Sequence, residues 1–214
     1  MKWDDILKFS KQVPIIQAKM LLVFEKNENI LRVNIARLVK AGKLIKLKRG
    51  YYVLAQEYQS KGYNKEFLST NIYYPSYISL EYALSYYQMI PEKVYTITLL
   101  TTKRPLNLET KIGNFTYHHI HKSHFWGFRN IVTPEKESSF FIAEPEKAIL
   151  DIFYFKSGEI TLPYLEEMRF QNCENLNFFK LKKYADSFNS AKIIRGSNLF
   201  NEFIKKEGII TRIV

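Results

Sequence analysis

A chain of 214 residues with 46% hydrophobic and 15% aromatic side chains can bury one large core or two small ones, and is no disordered tail. Its single cysteine, Cys173, excludes a disulfide framework within the chain, and no apolar run approaches the roughly 20 residues of a membrane span. The net charge of +11 is unevenly spread: residues 1–54 hold 12 Lys and Arg against 4 Asp and Glu, a net of +8, and the other 160 residues hold 20 against 17, a net of +3. Asp4 and Asp5 interrupt the one candidate signal segment, so these features together predict a cytoplasmic protein.

In chain order, Trp3, Ile6, Leu7 and Phe9 predict a short first helix. Pro14 suits the start of a second helix, on which Ile16, Met20 and Phe24 fall on one side, and Glu25-Lys26-Asn27 makes the turn after it. A third helix is amphipathic: Leu31, Ile35 and Leu38 share one face at the 3.6-residue period, with Asn34 and Val39 at its margins. Gly42 stands where such a helix takes a left-handed cap. The opposite face carries Asn29, Val33, Ala36, Arg37 and Lys40, with Arg32 at its flank. Small apolar, amide and guanidinium side chains suit base edges, since a thymine methyl accepts Val or Ala and guanine accepts Arg. A merely solvated face is the alternative.

The next stretch favours the first reading. Ile45 and Leu47 alternate with Lys46 and Lys48, which predicts a strand with one buried face and lysines on the other. Lys48-Arg49-Gly50 makes a turn, and Tyr51 to Leu54 returns as a β-branched and aromatic strand. Lysines on a hairpin can be edge protection, but the concentration of positive charge in this first quarter is what a phosphate-binding module carries. Helices followed by a basic hairpin form the order of parts of a winged helix-turn-helix. Residues 1–54 are therefore expected to bind DNA, with Asn29, Arg32, Val33, Ala36, Arg37 and Lys40 at the bases and Lys46, Lys48 and Arg49 at phosphates.

Residues 55–68 are polar and read as a linker, with Gln56 to Tyr63 as its centre. A mixed α/β domain is expected over 69–214. Ser79 is a candidate N-cap for a helix on which Tyr82, Ala83 and Tyr86 recur at helical spacing. Strands are predicted at Val94–Thr102, Leu106–Thr110, Gly113–Ile120 and Phe140–Ala143, with a hairpin at Lys111-Ile-Gly. A helix starts at Glu144-Pro145, two more cover Leu176–Phe188 and Ser190–Lys206, and a short apolar end runs over Ile209–Val214. The fold class read from this order is α+β: a winged helix-turn-helix, then a mixed α/β domain with a helical C-terminal end.

Four histidines, His118, His119, His121 and His124, fall within seven residues. On a strand only His119 and His121 would share a face, and no acid or cysteine is placed to join them, so no metal site is assigned. Glu109-Thr-Lys111 has the look of the tail of a metal-dependent nuclease motif, but between the linker's centre and Glu109 the only acids are Glu66, Glu81 and Glu92, none in a strand-like run. Cys173 lacks activating neighbours and there is no glycine-rich phosphate loop. No catalytic residue and no cofactor is assigned, and an enzyme is not expected. Lys103 and Arg104, following the predicted buried strand, are candidates for binding an acidic partner; a charged loop that keeps the domain soluble is the equal alternative. Tyr82, Tyr86 and Tyr87 read as packing residues.

Several of these stretches occur together in one known family. Arg37-Leu-Val-Lys-Ala-Gly-Lys-Leu-Ile-Lys-Leu-Lys-Arg-Gly-Tyr-Tyr-Val-Leu54, Tyr74-Pro-Ser-Tyr-Ile-Ser-Leu-Glu-Tyr-Ala-Leu-Ser-Tyr-Tyr87 and Thr101-Thr-Lys-Arg104 come first. Phe115-Thr-Tyr-His-His-Ile120 with Phe125-Trp-Gly-Phe128, Ala143-Glu-Pro-Glu-Lys-Ala-Ile-Leu-Asp151 and Tyr164-Leu-Glu-Glu-Met-Arg169 come after them. In this order they resemble the AbiEi family of antitoxins, from type IV toxin–antitoxin and phage abortive-infection systems, over nearly the whole chain. The resemblance implies an N-terminal winged helix that represses its own operon by binding operator DNA; cooperative binding of two copies there is one option, and the sequence leaves the oligomeric state open. It also implies a C-terminal antitoxin domain that counters a nucleotidyltransferase toxin without a stable complex. Lys26-Asn27-Glu28 departs from the small residues that often sharpen a helix-turn-helix turn, so looser base recognition is expected. Two alternatives stay open: a protein-interaction module that directly sequesters a toxin with no sequence-specific DNA binding, and a metal-dependent nuclease around His119 and Glu109.

Overall fold

A small sheet with an apolar core on each of its two faces organises the computed structural model, which describes residues 2–59, 62, 64–133 and 138–206. Ser60, Lys61 and Tyr63 of the expected linker, and the apolar end Ile209–Val214, lie outside the described residues. The fold is mixed α+β, and among the described residues no helix is long and apolar enough to cross a membrane.

The first 54 residues run α1 (Trp3–Gln12), β1 (Ile16–Gln17), a 3₁₀ helix (Ala18–Val23), α2 (Glu28–Lys40), β2 (Leu44–Lys48) and β3 (Tyr51–Leu54). The helix expected after Pro14 is corrected. Ile16 pairs with Tyr52 in a strand, and only a 3₁₀ helix comes after it. Ile15 and Ile16 bury toward opposite cores, which requires the two-residue period of a strand, and both are β-branched.

α2 forms as read, with Leu31 and Ile35 buried. Asn27 caps its start, the side-chain Oδ1 accepting from Asn29 N–H (3.0 Å) and Ile30 N–H (3.2 Å). At its end Lys43 N–H donates to Leu38 C=O (2.9 Å) and Gly42 N–H to Val39 C=O (3.1 Å), a Schellman closure with Gly42 at φ +72°.

β1, β3 and β2 form a three-stranded sheet in that spatial order. Ile16, Leu44 and Leu54 pack on one face with Ile6, Leu21, Leu31 and Ile35; Ile15, Leu47 and Val53 join the larger core on the other. The alternation expected for β2 holds from Ile45 to Leu47 and fails at Lys48. Lys46 pairs with Tyr52 but Lys48 with Tyr51, the register slipping by one between them. Cross-strand partners point the same way, so this bulge turns Lys46 and Lys48 to opposite faces.

The linker is shorter than the sequence suggests. A 3₁₀ helix occupies Gln56–Tyr58, and α3 (Lys65–Ile72) starts inside the stretch assigned to 55–68, capped by Asn64 Oδ1 accepting from Phe67 N–H (2.8 Å). Then come β4 (Ser76–Ile78), α4 (Leu80–Tyr86), β5 (Ile97–Thr101), β6 (Leu106–Glu109), β7 (Asn114–His119), β8 (Phe128–Thr133) and β9 (Ser138–Ala143). α5 (Pro145–Phe155), α6 (Leu162–Glu167), α7 (Phe178–Ser187) and α8 (Ala191–Lys206) complete the described chain. The strands make one sheet ordered β6-β7-β5-β4-β9-β8, parallel at β5/β7 and β4/β9 and antiparallel elsewhere. Only Ile97–Thr101 of the expected Val94–Thr102 strand enters the ladder, and β4, β8, α3 and α6 are additions to the elements expected from sequence.

α5 lies against α4, α7 and α8, and every residue from Glu146 to Phe153 is buried. Inside it Lys147 and Asp151, both fully buried, form an i,i+4 ion pair. Asp151 Oδ2 accepts from Ser79 Oγ–H (2.7 Å) and Tyr77 O–H (3.1 Å), and the Tyr77 oxygen accepts from Lys147 Nζ (3.0 Å). Ser79 therefore precedes α4 as read, but its hydroxyl serves Asp151 instead of capping the helix. The ammonium also lies over Trp126 (5.0 Å) and Phe188 (4.9 Å). Gly127 is the lid: at φ +73°, a Cβ there would stand 3.0 Å from Lys147 Cγ. Burial pulls Lys147 down and pushes Asp151 up, and the attraction between the two opposes both.

Removing one member leaves the other uncompensated, whereas replacing both with apolar groups does not. Asp151→Ala should therefore cost about 3–5 kcal/mol in urea unfolding, and the double variant Lys147→Met/Asp151→Leu much less. Equal losses in the two proteins would show that the pair is not coupled.

Candidate nucleic-acid interface

Because Leu31 and Ile35 fix the back of α2 in a core, the helix presents a defined outer face. Asn29, Arg32, Val33, Ala36, Arg37 and Lys40 are all exposed and recur at i, i+3, i+4, i+7, i+8 and i+11, so the structure gathers the six residues into one stripe. Arg32 Nη2 donates to Asn29 Oδ1 (2.9 Å), which holds these two as a pair. Ile30 and Val33 add apolar surface, about half exposed. Arg37 and Lys40 fall in the last turn, where the helix dipole favours cations.

Beyond the helix, Lys46 and Arg49 are exposed, and Lys46 projects from the sheet face that carries Leu44 and Leu54. Among the described residues none of Arg32, Arg37, Lys40, Lys46 and Arg49 is in an ion pair, so their charge is available to an anionic ligand.

Lys48 sits elsewhere. It is half-buried on the opposite sheet face, with Nζ 4.1 Å from the centre of the Tyr51 ring and 5.1 Å from that of Tyr73. Burial, then the neighbouring positive charge of Lys103, lower its pKa. Lys103 Nζ lies 5.3 Å from the same Tyr73 ring, so two residues assigned to different roles meet at one aromatic side chain. Arg104 is exposed beside it. No local period in the sequence links Tyr51 to Tyr73, and their sharing of Lys48 depends on how the hairpin and the large sheet dock.

The histidines do not converge as expected. β7 ends at His119, Ile120 turns fully inward, and His121 opens a 3₁₀ helix, so His119 and His121 share no strand face. His119 Nδ1 donates to Lys103 C=O (3.0 Å), His121 Nδ1 bonds Ser123 Oγ (2.7 Å), and His118 meets the Phe155 ring. His124 stacks on Phe188 at 4.9 Å. Among the described residues no three His, Cys, Asp or Glu side chains come together to hold a metal, and Glu109 is exposed at the end of β6. The Cys173 thiol is buried and pushed up to about 12 by that burial and by Glu174.

A cleft of about 740 Å³ is lined by Leu7, Lys11, Glu57, Tyr58 and Phe67. The Lys147–Asp151 network is the most highly organised polar group that sequence reading missed. Its signal was a lysine and an aspartate four apart inside an otherwise apolar helical run. No protein-family model matches the chain, and no curated protein shows significant similarity to it.

His124 supplies a pH dependence. Burial first, then the positive charges of Lys147 and His121, hold it below its ordinary 6.5. The unfolded chain therefore takes up this proton at a higher pH than the folded one. The stability is present above 6.5 and declines as pH falls from there through the depressed folded value. Thermal unfolding across that range should show a smaller decline for His124→Phe than for the parent; identical pH profiles would remove His124 as the source.

Proposed function

We propose that this protein binds duplex DNA, with α2 in the major groove and the β2–β3 hairpin as the wing of a winged helix-turn-helix, and that it is an antitoxin that represses its own operon. The observation that carries the DNA reading is the exposed stripe of six residues on α2, with free positive charge continuing onto Lys46 and Arg49. A helix about 12 Å across enters the major groove, and Arg, Asn and small apolar side chains are the types that read base edges there. The order helix, short strand, 3₁₀ helix, helix, hairpin, with the first strand beside the last, supports the winged form.

The antitoxin half rests on the resemblance to AbiEi proteins. In that reading residues 1–54 hold the operator upstream of the protein's own operon, with two copies cooperating. The domain after the linker counters a nucleotidyltransferase toxin with no need of a stable complex. Cytoplasmic residence goes with both tasks.

The test is binding of the full chain to DNA from upstream of its gene and to a scrambled duplex, across a salt series. Arg37→Ala should weaken the upstream sequence by about 1–3 kcal/mol more than the scrambled one, as loss of a base contact does. Lys46→Ala should weaken both alike and reduce the salt slope by about one. Equal, weak binding of both duplexes by the parent would end the operator reading, and stable co-purification with a toxin would favour direct sequestration in its place.

A further inference from the structure

Lys48 and Lys103 come from segments more than fifty residues apart, yet both ammonium groups lie over the ring of Tyr73. Their convergence is built rather than incidental to flexible side chains. The bulge at Leu47 swings Lys48 to this face, where the Tyr51 ring also holds it.

The loop bearing Lys103 is pinned at three points. Its own N–H donates to Thr101 Oγ1 (3.2 Å), and the Thr101 hydroxyl in turn donates to Pro75 C=O (2.6 Å). His119 Nδ1–H donates to Lys103 C=O (3.0 Å), and Tyr73 O–H donates to Arg104 C=O (3.1 Å). Tyr73 thus fixes the loop through its hydroxyl, and its ring stands 5.1 Å from one ammonium group and 5.3 Å from the other.

Among the described residues no carboxylate pairs with Lys48 or Lys103. Two like charges held at one ring, with Lys103 and Arg104 exposed, create a field that an anion relieves. A doubly charged, multi-oxygen anion matches two ammonium groups better than a carboxylate, with its single charge.

We propose that Lys48 and Lys103, presented on the Tyr73 ring at the seam between the hairpin and the six-stranded sheet, form a phosphate-binding site. It goes beyond the groove reading of α2 and uses none of the stripe residues. The phosphate can belong to a nucleic-acid backbone or to a free phosphorylated molecule, and the two sources separate by experiment.

The full chain is titrated with inorganic phosphate at low salt while the Tyr51 and Tyr73 ring signals and the lysine Nζ signals are followed by NMR. Saturable shifts at these residues are expected, with affinity falling about tenfold in Lys103→Gln, as loss of one charged hydrogen-bond donor implies. Lys182→Gln, exposed on α7 and outside both proposed surfaces, should bind phosphate as the parent does. Absent shifts, or equal affinity in the parent, Lys103→Gln and Lys182→Gln, signal diffuse attraction to a basic protein and overturn the site. Given saturable binding, random duplex DNA distinguishes the sources. A salt slope reduced by about one in Lys103→Gln assigns the phosphate to a backbone, and an unchanged slope assigns it to a free phosphorylated molecule. Failure of operator selectivity in α2 variants leaves this readout untouched.

Discussion

The three-stranded sheet is the constraint on which the rest of this structure depends, because it has no solvent face to spare. Ile16, Leu44 and Leu54 close the core beneath α1 and α2, while Ile15, Leu47 and Val53 enter the core of the larger sheet. Burying apolar side chains on both faces, at about 25 cal/mol for each Å² removed from water, ties the first 54 residues to the six-stranded sheet more firmly than a flexible linker would. Two consequences reach the surface. α2 has one face fixed and one free, and β2 divides its lysines between its two faces. The bulge at Leu47 leaves Lys46 exposed on one face and lays Lys48 along two tyrosine rings on the other.

A second constraint acts inside the larger unit. α5 is buried along its middle, so its one charged pair has no water to turn to. Lys147 and Asp151 satisfy each other and are completed by Tyr77 and Ser79 at β4 and by the rings of Trp126 and Phe188. These hydrogen bonds are directional, so they register α5 against β4 in a way that apolar contact alone does not. Several residues of the stretches on which the proposed antitoxin reading leans belong to this arrangement: Tyr77, Ser79, Trp126, Gly127, Lys147 and Asp151. In this chain those stretches serve packing, and the DNA-binding part of the proposal rests on the exposed face of α2 and on the basic residues around the hairpin.

Local patterns are legible where one residue's neighbours in sequence are also its neighbours in space. The period of Leu31, Ile35 and Leu38, the glycine after α2, the hairpin at Lys111-Ile-Gly and the proline opening α5 all appear where the sequence puts them. Strands of two or three residues are not legible. Ile16–Gln17 and Ser76–Ile78 are too short to show a period, and they exist because distant strands supply their hydrogen bonds. The linker shrinks for a similar reason: Asn64 caps α3 while its Nδ2 donates to Ser138 Oγ (3.0 Å), far along the chain.

By itself the sequence determined the α+β class, the amphipathic helix with its stripe of candidate readers, and the excess of positive charge in the first quarter, since these depend on composition and on short-range period. Tertiary structure decided which charges are free, which are paired and which are gathered. Lys46 and Lys48 are two apart and equivalent by alternation, yet a one-residue slip in pairing sends them to opposite faces. Lys147 and Asp151 look like ordinary charges near a helix start and are the most deeply buried ions described. Lys48 and Lys103 carry separate tasks in the linear pattern and share a tyrosine in the fold. Strand register, the docking of two sheets and the packing of helices around α5 fixed these outcomes, and all are long-range contacts that no local pattern encodes.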